Sequence, residues 1–319
     1  MMQPTVKAAA TASFPIRPGV AVALLVLCAL FWGSNAVIGR ALYEDVPPVG
    51  LSFWRNVFAL LVLVPFTRRE LRSHWPTLRD RLGVLLWAGL VGMALFNAVL
   101  YLALHTTTAI NAALIMSLSP VIIPFFAWLL LRERMSATQL VGILVSLAGV
   151  VLMITRGQPT AVVELGVHRG DVLALLAAIC WALYSVVVKF RPASVPPLVF
   201  LAAILVVAVL SLLPFYIWES LEVQPMPADA AAWVAAVYVG VFPTTVALWM
   251  FNLAVDRLGP IRAGLYMHLV PVFSALLAIG FLDERLQWFQ LAGAIPIALG
   301  LYLVTFAGPP PTGGESGKV

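Results

Sequence analysis

Residues 108–155 and 259–306 align at a constant offset of 151 without a gap, and sixteen of those 48 positions are identical. The shared positions include Pro120/Pro271, Glu133/Glu284, Arg134/Arg285, Gln139/Gln290, Gly142/Gly293 and Gly149/Gly300. Near the start of each half, Trp32 matches Trp181 and Val46-Pro47-Pro48 matches Val195-Pro196-Pro197, both at an offset of 149. The chain is an internal duplication, so whatever one half folds into, the other must fold into as well. Each half holds five long apolar runs. In a bilayer an odd number of crossings turns the second copy upside down, which relates the halves by a pseudo-two-fold axis in the membrane plane. The fold class expected is an all-α membrane protein with ten transmembrane helices in two inverted five-helix repeats.

Composition fixes the solvent. The 319-residue chain is 62% hydrophobic and 10% charged, with a mean hydropathy of +1.01, against about 25% charged residues in a soluble domain. A pI near 9.5 would fit a nucleic-acid binder, but the basic residues sit between apolar runs, where they act as topological signals, so no nucleic-acid partner is expected. Cys28 and Cys180 each lie inside an apolar run and read as buried thiols. No signal peptide with a cleavage site is expected at the start.

A span needs about 20 apolar residues, and the sequence offers runs near 20–39, 49–66, 82–104, 107–131, 136–155, 170–189, 197–217, 231–254, 261–281 and 287–306. The expected division is a cytoplasmic tail (1–19), a first repeat (20–155), a second, inverted repeat (156–306) and a disordered tail (307–319). Ser136 with Gln139 reads as a capping box opening the fifth span. With the N-terminus in the cytoplasm, 14 of the 19 basic residues fall in cytoplasmic segments, the Arg68–Arg81 link among them. That bias places both termini inside. Trp54, Trp87, Trp128, Trp218, Trp233 and Trp288 fall near expected interfaces and read as belt anchors.

Each repeat closes on one pattern: Arg132-Glu133-Arg134, Gln139, Gly142 and Gly149 in the first, and Asp283-Glu284-Arg285, Gln290, Gly293 and Gly300 in the second. This arrangement resembles the EamA-type transporters of the drug/metabolite transporter superfamily, and the tryptophan-rich interior resembles the bacterial aromatic amino-acid exporters among them. The resemblance covers about residues 20–306. It implies a basket in which spans 1–4 and 6–9 surround a cavity while spans 5 and 10 stay outside. It also implies a bacterial inner-membrane location, a small-molecule substrate, and a monomer or weak homodimer. The repeated glycines and glutamates read as structural, the glycines because they let helices approach closely.

Polar residues inside spans are costly and need partners or water. Helical spacing groups them into stripes: Asn97, Tyr101 and His105 on span three; Thr245, Trp249 and Asn252 on span eight; Trp32 and Asn35 on span one; Trp181, Tyr184 and Ser185 on span six; Gly264, His268 and Pro271 on span nine. The substrate-binding residues expected are Trp32, Asn35, Asn97, Tyr101, Trp181, Tyr184, Trp249, Asn252 and His268. Each has a plainer reading, as an interhelical hydrogen bond or, for His268, a satisfied core histidine. The symmetry-matched Trp32 and Trp181 are the firmest, because aromatic walls suit a flat apolar solute. Arg55 is the one basic residue well inside a span, and its repeat partner is Ile204. It reads either as snorkelling or pairing with Glu44 or Asp45, or as a gate or docking point for a substrate carboxylate.

The fourteen acidic residues all lie in links, tails or span ends. A carboxylate proton relay is therefore not expected. No metal-ligand or catalytic constellation stands out, so neither an enzyme nor a cofactor is expected. The function expected is export of small neutral amino acids, aromatic or bulky and apolar, by alternating access; the alternative is a proton-coupled drug or metabolite exporter.

Overall fold

The computed structural model describes residues 16–42, 46–107, 109–158, 169–281 and 286–307. Residues 1–15 and 308–319 lie outside this set, as do Glu44, Asp45, His168 and the second repeat's Asp283, Glu284 and Arg285. The described secondary structure is helical throughout. Among the described residues ten helices are long and apolar enough to cross a membrane: α1 (Pro18–Leu42), α2 (Pro48–Asp80), α3 (Leu82–Leu104), α4 (Asn111–Leu131), α5 (Ala137–Ile154), α6 (Arg169–Phe190), α7 (Pro197–Glu222), α8 (Ala230–Leu258), α9 (Pro260–Gly280) and α10 (Trp288–Phe306). The end of the bundle where α1 begins is called proximal below and the other end distal.

The largest departure from the sequence reading is at the end of α2. The 33-residue α2 continues past its apolar run through the basic 68–80 segment instead of ending near 66. At about 1.5 Å per residue it is longer than a hydrocarbon core needs. The extra turns are amphipathic: Leu78 is buried and Leu71 packs on the core, while Arg68, Arg69, Arg72 and Arg79 are exposed.

The duplication is visible in the packing. Antiparallel α5 and α10 cross at the repeated glycines: Gly142 meets Gly300, and Gly149 meets Gly293. A Cβ on Gly149 would lie 2.5 Å from the Gly293 carbonyl oxygen, and one on Gly300 would lie 2.3 Å from that of Gly142. Two further glycines make matching contacts. A Cβ on Gly89 of α3 would meet the Ile204 carbonyl of α7 at 2.7 Å, and one on Gly240 of α8 would meet the Arg55 carbonyl of α2, also at 2.7 Å. Gly89 and Gly240 are 151 apart and Arg55 and Ile204 are 149 apart, so both contacts obey the offsets read from the sequence. In the same way α1 packs on α8 and α9 while α6 packs on α3 and α4.

The repeated glutamines also have a structural role. Gln139 closes the capping box with Ser136, its backbone N–H donating to the Ser136 hydroxyl at 3.2 Å and its side chain accepting from Ser136 N–H at 2.9 Å. Gln290 accepts from Gln287 N–H at 2.8 Å in the equivalent position. At the distal end, the buried Glu219 of α7 accepts from the backbone N–H groups of Val49 (3.1 Å) and Gly50 (2.6 Å). This satisfies two of the N–H groups that the first turn of α2 leaves without helical partners and places a negative charge at the positive end of its dipole. Glu219→Ala should lower stability by about 2 kcal/mol, read as a reduced Tm of the purified protein. The same change at the exposed Glu222 should not.

Candidate functional site

Pro243 shapes the middle of α8. Lacking an N–H, it cannot bond the carbonyl of Val239, and the helix widens into a π-turn over Gly240–Val246. The Thr244 hydroxyl donates to Val239 O at 2.8 Å and that of Thr245 to Gly240 O at 3.0 Å. A matching π-turn occupies Ala88–Leu95 of α3. These turns aim side chains of α3 and α8 at Arg55.

Arg55 is buried, 7% exposed. Its Nε donates to the Thr244 hydroxyl at 3.0 Å, and its Nη1 donates to Asn97 Oδ1 at 2.9 Å and to the Tyr101 hydroxyl at 3.0 Å. Asn97 is fixed in turn by its Nδ2, which donates to Met93 O at 2.7 Å. All three acceptors are neutral. Glu44 and Asp45, the sequence candidates for pairing, lie outside the described residues, and no described carboxylate reaches Arg55.

An aromatic cluster lies next along the chain to two of the Arg55 acceptors. Trp32 and Trp181 meet edge to face with ring centroids 5.2 Å apart; Phe251 lies 5.5 Å from the first and 5.3 Å from the second, and Phe96 lies 5.3 Å from Trp181. Two pairs of sequence neighbours join the cluster to Arg55. Pro243 O accepts from Trp32 Nε1 at 3.1 Å while the adjacent Thr244 accepts from Arg55. Phe96 packs on Trp181 while the adjacent Asn97 accepts from Arg55. The matched tryptophans are not in equivalent states. Trp32 is half-buried with its indole N–H bonded, whereas Trp181 is 3% exposed and its Nε1 has no partner among the described residues. The rings pack on one another rather than lining an open chamber.

On the proximal side of the cluster Tyr184 donates to Asn252 Oδ1 at 3.0 Å, and Asn252 Nδ2 is buried without a partner among the described residues. Below these the bundle is closed. Arg191 pairs with Asp256 and donates to Val195 O, and Lys189 donates to Asp256 O at 3.2 Å. Glu133, in the α4–α5 link, lies beside Gly259, whose φ of +83° lets the chain turn into Pro260. Burial pushes the Glu133 carboxyl above its ordinary range, and the Lys189 charge pulls it back down.

The remaining expected residues fall elsewhere. Asn35 is half-buried, three residues beyond Trp32 on α1. His268 is held at the α4–α5–α9 junction, Nδ1 against the Ser146 hydroxyl at 2.7 Å and Nε2 against Ser117 O at 3.0 Å. Trp249 sits on the outside of the bundle, 37% exposed. Simple α-helical spacing put it in line with Thr245 and Asn252; the π-turn breaks the register between Thr245 and Trp249, and Trp249 shares the exposed face of α8 with Arg257 while Asn252 is buried. Trp249→Ala should leave solute flux within about twofold of wild type, whereas Trp32→Ala should reduce phenylalanine flux at least tenfold. Both are read as initial rates in proteoliposomes. Spacing alone also missed Thr244, Phe96 and Phe251; a proline in mid-span was the available sign that the register of α8 shifts.

The sequence profile of the EamA-like transporter family matches residues 19–155 and 168–306, one stretch in each half. The chain belongs to the EamA-like transporter family. Its relatives include the uncharacterized transporter YyaM of Bacillus subtilis, 26% identical over 85% of this chain and 89% of that one. An uncharacterized transporter of Archaeoglobus fulgidus is 27% identical over 88% of this chain and 96% of its own. A solved crystal structure shares the fold, with a TM-score of 0.71 at 23% identity over 90% of this chain and 98% of that chain. In this EamA-like protein, then, the buried arginine and its aromatic neighbours lie at the centre of a multi-pass transporter.

Proposed function

We propose that this EamA-like transporter is a secondary carrier exporting small amino acids with aromatic or bulky apolar side chains across a bacterial plasma membrane. The observation that carries this reading is Arg55: a guanidinium 7% exposed inside the bundle, held by three neutral acceptors, two of which are chain neighbours of residues in the Trp32, Trp181, Phe96 and Phe251 cluster. An uncompensated buried cation is costly, and a solute carboxylate would neutralise it through the bidentate geometry guanidinium favours. The aromatic rings offer stacking area to the rest of the solute.

Alternating access fits the difference between the two ends. The proximal end is sealed by Arg191–Asp256 and the Lys189 contacts, while the half of α1 beyond Cys28 is only partly buried from Phe31 to Asn35, Gly33 excepted. On this reading the proximal end is cytoplasmic, in agreement with the basic residues gathered there. His268 bonds through both ring nitrogens, Asp171, Glu219 and Asp256 have partners, and Glu133 lies in the α4–α5 link at the proximal end beside the Lys189 charge. Both points favour transport down the solute gradient over a proton relay, and a cationic drug would meet aromatic faces but find Asp171, Glu219 and Asp256 already committed.

The test is uptake into proteoliposomes of labelled tryptophan, phenylalanine, tyrosine, methionine, glutamate and lysine, with and without a pH gradient. The first four should equilibrate without a gradient and the last two should pass poorly. A preference for glutamate, or an absolute need for a pH gradient, would refute the proposal.

A further inference from the structure

The polar groups left over around the site are nearly all donors. Arg55 uses Nε and Nη1 on Thr244, Asn97 and Tyr101, and its Nη2 makes no hydrogen bond to a described residue. The Tyr101 hydroxyl accepts from Arg55, which leaves its own proton to give. Trp181 Nε1 and Asn252 Nδ2 are buried donors without partners among the described residues, on side chains 3% and 2% exposed. The matching acceptors are taken. Asn97 Oδ1 is bonded to Arg55, Asn252 Oδ1 to Tyr184, Thr244 to Arg55 and Pro243 O to Trp32. Two buried oxygens on α2 have no partner among the described residues: Asn56 Oδ1, about 100° around the helix from Arg55, and the Ser52 hydroxyl, which can donate as well as accept. The described acids nearest the pathway are likewise committed: Asp171 to Thr107 and Asn111, Glu219 to the start of α2, and Asp256 to Arg191.

A site built this way rewards an anion with hydrogen bonds and a charge, and offers a cation only aromatic faces without a charged partner among the described residues. An ammonium brought in with the carboxylate would be desolvated without a charged partner among the described residues, which is unfavourable. We propose that the site recognises a carboxylate joined to an apolar body and makes no demand for the α-amine, so that aromatic monocarboxylates lacking it are ligands as good as the amino acids or better. The proposal rests on the carboxylate reading of Arg55 given above and narrows what that carboxylate belongs to.

Three probes share one phenyl body: phenylalanine carries both charges, 3-phenylpropionate only the carboxylate, and phenethylamine only the ammonium. Each is titrated against the full-length protein in nanodiscs, with the ligand-dependent rise in Tm as readout. The expected result is 3-phenylpropionate binding with at most a threefold weaker affinity than phenylalanine, phenethylamine at least tenfold weaker than either, and 3-phenylpropionate binding lost in Arg55→Gln but partly kept in Arg55→Lys. Binding of phenylalanine with 3-phenylpropionate more than tenfold weaker would overturn this inference and leave the amino-acid carrier standing. Binding of 3-phenylpropionate without phenylalanine would support the inference and overturn the amino-acid assignment instead. If phenethylamine alone bound, or none of the three, the carboxylate reading would fall and the inference with it.

Discussion

Arg55→Gln should produce a protein that is well folded and nearly unable to bind its solute. Glutamine can still reach Thr244 or Asn97 with a hydrogen bond, and the change removes a buried charge that no described carboxylate compensates. Removing such a charge is often neutral or stabilising, so Tm should hold or rise. Affinity for a carboxylate-bearing solute should fall by about 2–5 kcal/mol, which is about thirtyfold or more. Arg55→Lys should lie between, keeping the charge and losing the fork that meets two carboxylate oxygens at once. Equilibrium binding and Tm measured on the same preparations check both halves. A variant that lost stability and affinity together would make Arg55 a structural residue, and one that kept its affinity would remove it from the site.

The second large effect belongs to the glycine crossing of α5 and α10. Gly149→Val or Gly293→Val drives a side chain into the opposing backbone, where even a Cβ has only 2.5 or 2.6 Å to the facing carbonyl oxygen. Neither backbone can yield without parting the helices, so each change should cost about 1–3 kcal/mol or more, seen as a marked drop in Tm and in yield of folded protein. Gly83 and Gly280 are the controls, because a Cβ on either meets nothing within 4 Å. Alanine there should be silent or slightly stabilising through helix propensity. Equal damage at all four glycines would mean that the loss reflects helix chemistry in general and not this crossing.

Much of the fold was legible because the chain states it twice. An odd number of spans per repeat dictated inversion, and the glycines 151 residues apart that identified the repeat are the ones that meet across its axis. The repeated glutamines were legible as conserved between halves, and Ser136 gave the reason for one of them. The run of basic residues after Phe66 was read as a link, since hydropathy marks where the membrane ends and not where a helix does; Leu71 and Leu78 carry α2 onward along the core.

The site was legible in type and less so in register. Trp32 and Trp181 come together as symmetry required, and Asn97, Tyr101 and Arg55 form one bonded group. Trp249 left the group and Thr244 joined it. Projection onto a 3.6-residue helix assumes an unbroken α-helix, and the π-turn over Gly240–Val246 breaks that assumption between Thr244 or Thr245 and the residues after it. His268 has the spacing of a pathway residue, yet the groups that satisfy it, Ser146 and the Ser117 carbonyl, belong to α5 and to the middle of α4. No periodicity on its own helix could name them.

Counterflow of labelled phenylalanine in proteoliposomes preloaded with unlabelled phenylalanine, with no pH gradient, tests the central claim most directly. Wild type should accumulate label transiently and then equilibrate, and Arg55→Gln of undiminished Tm should behave like protein-free vesicles. Counterflow in Arg55→Gln at the wild-type rate, or none in wild type until a pH gradient is imposed, would contradict a carboxylate carried past Arg55 by alternating access.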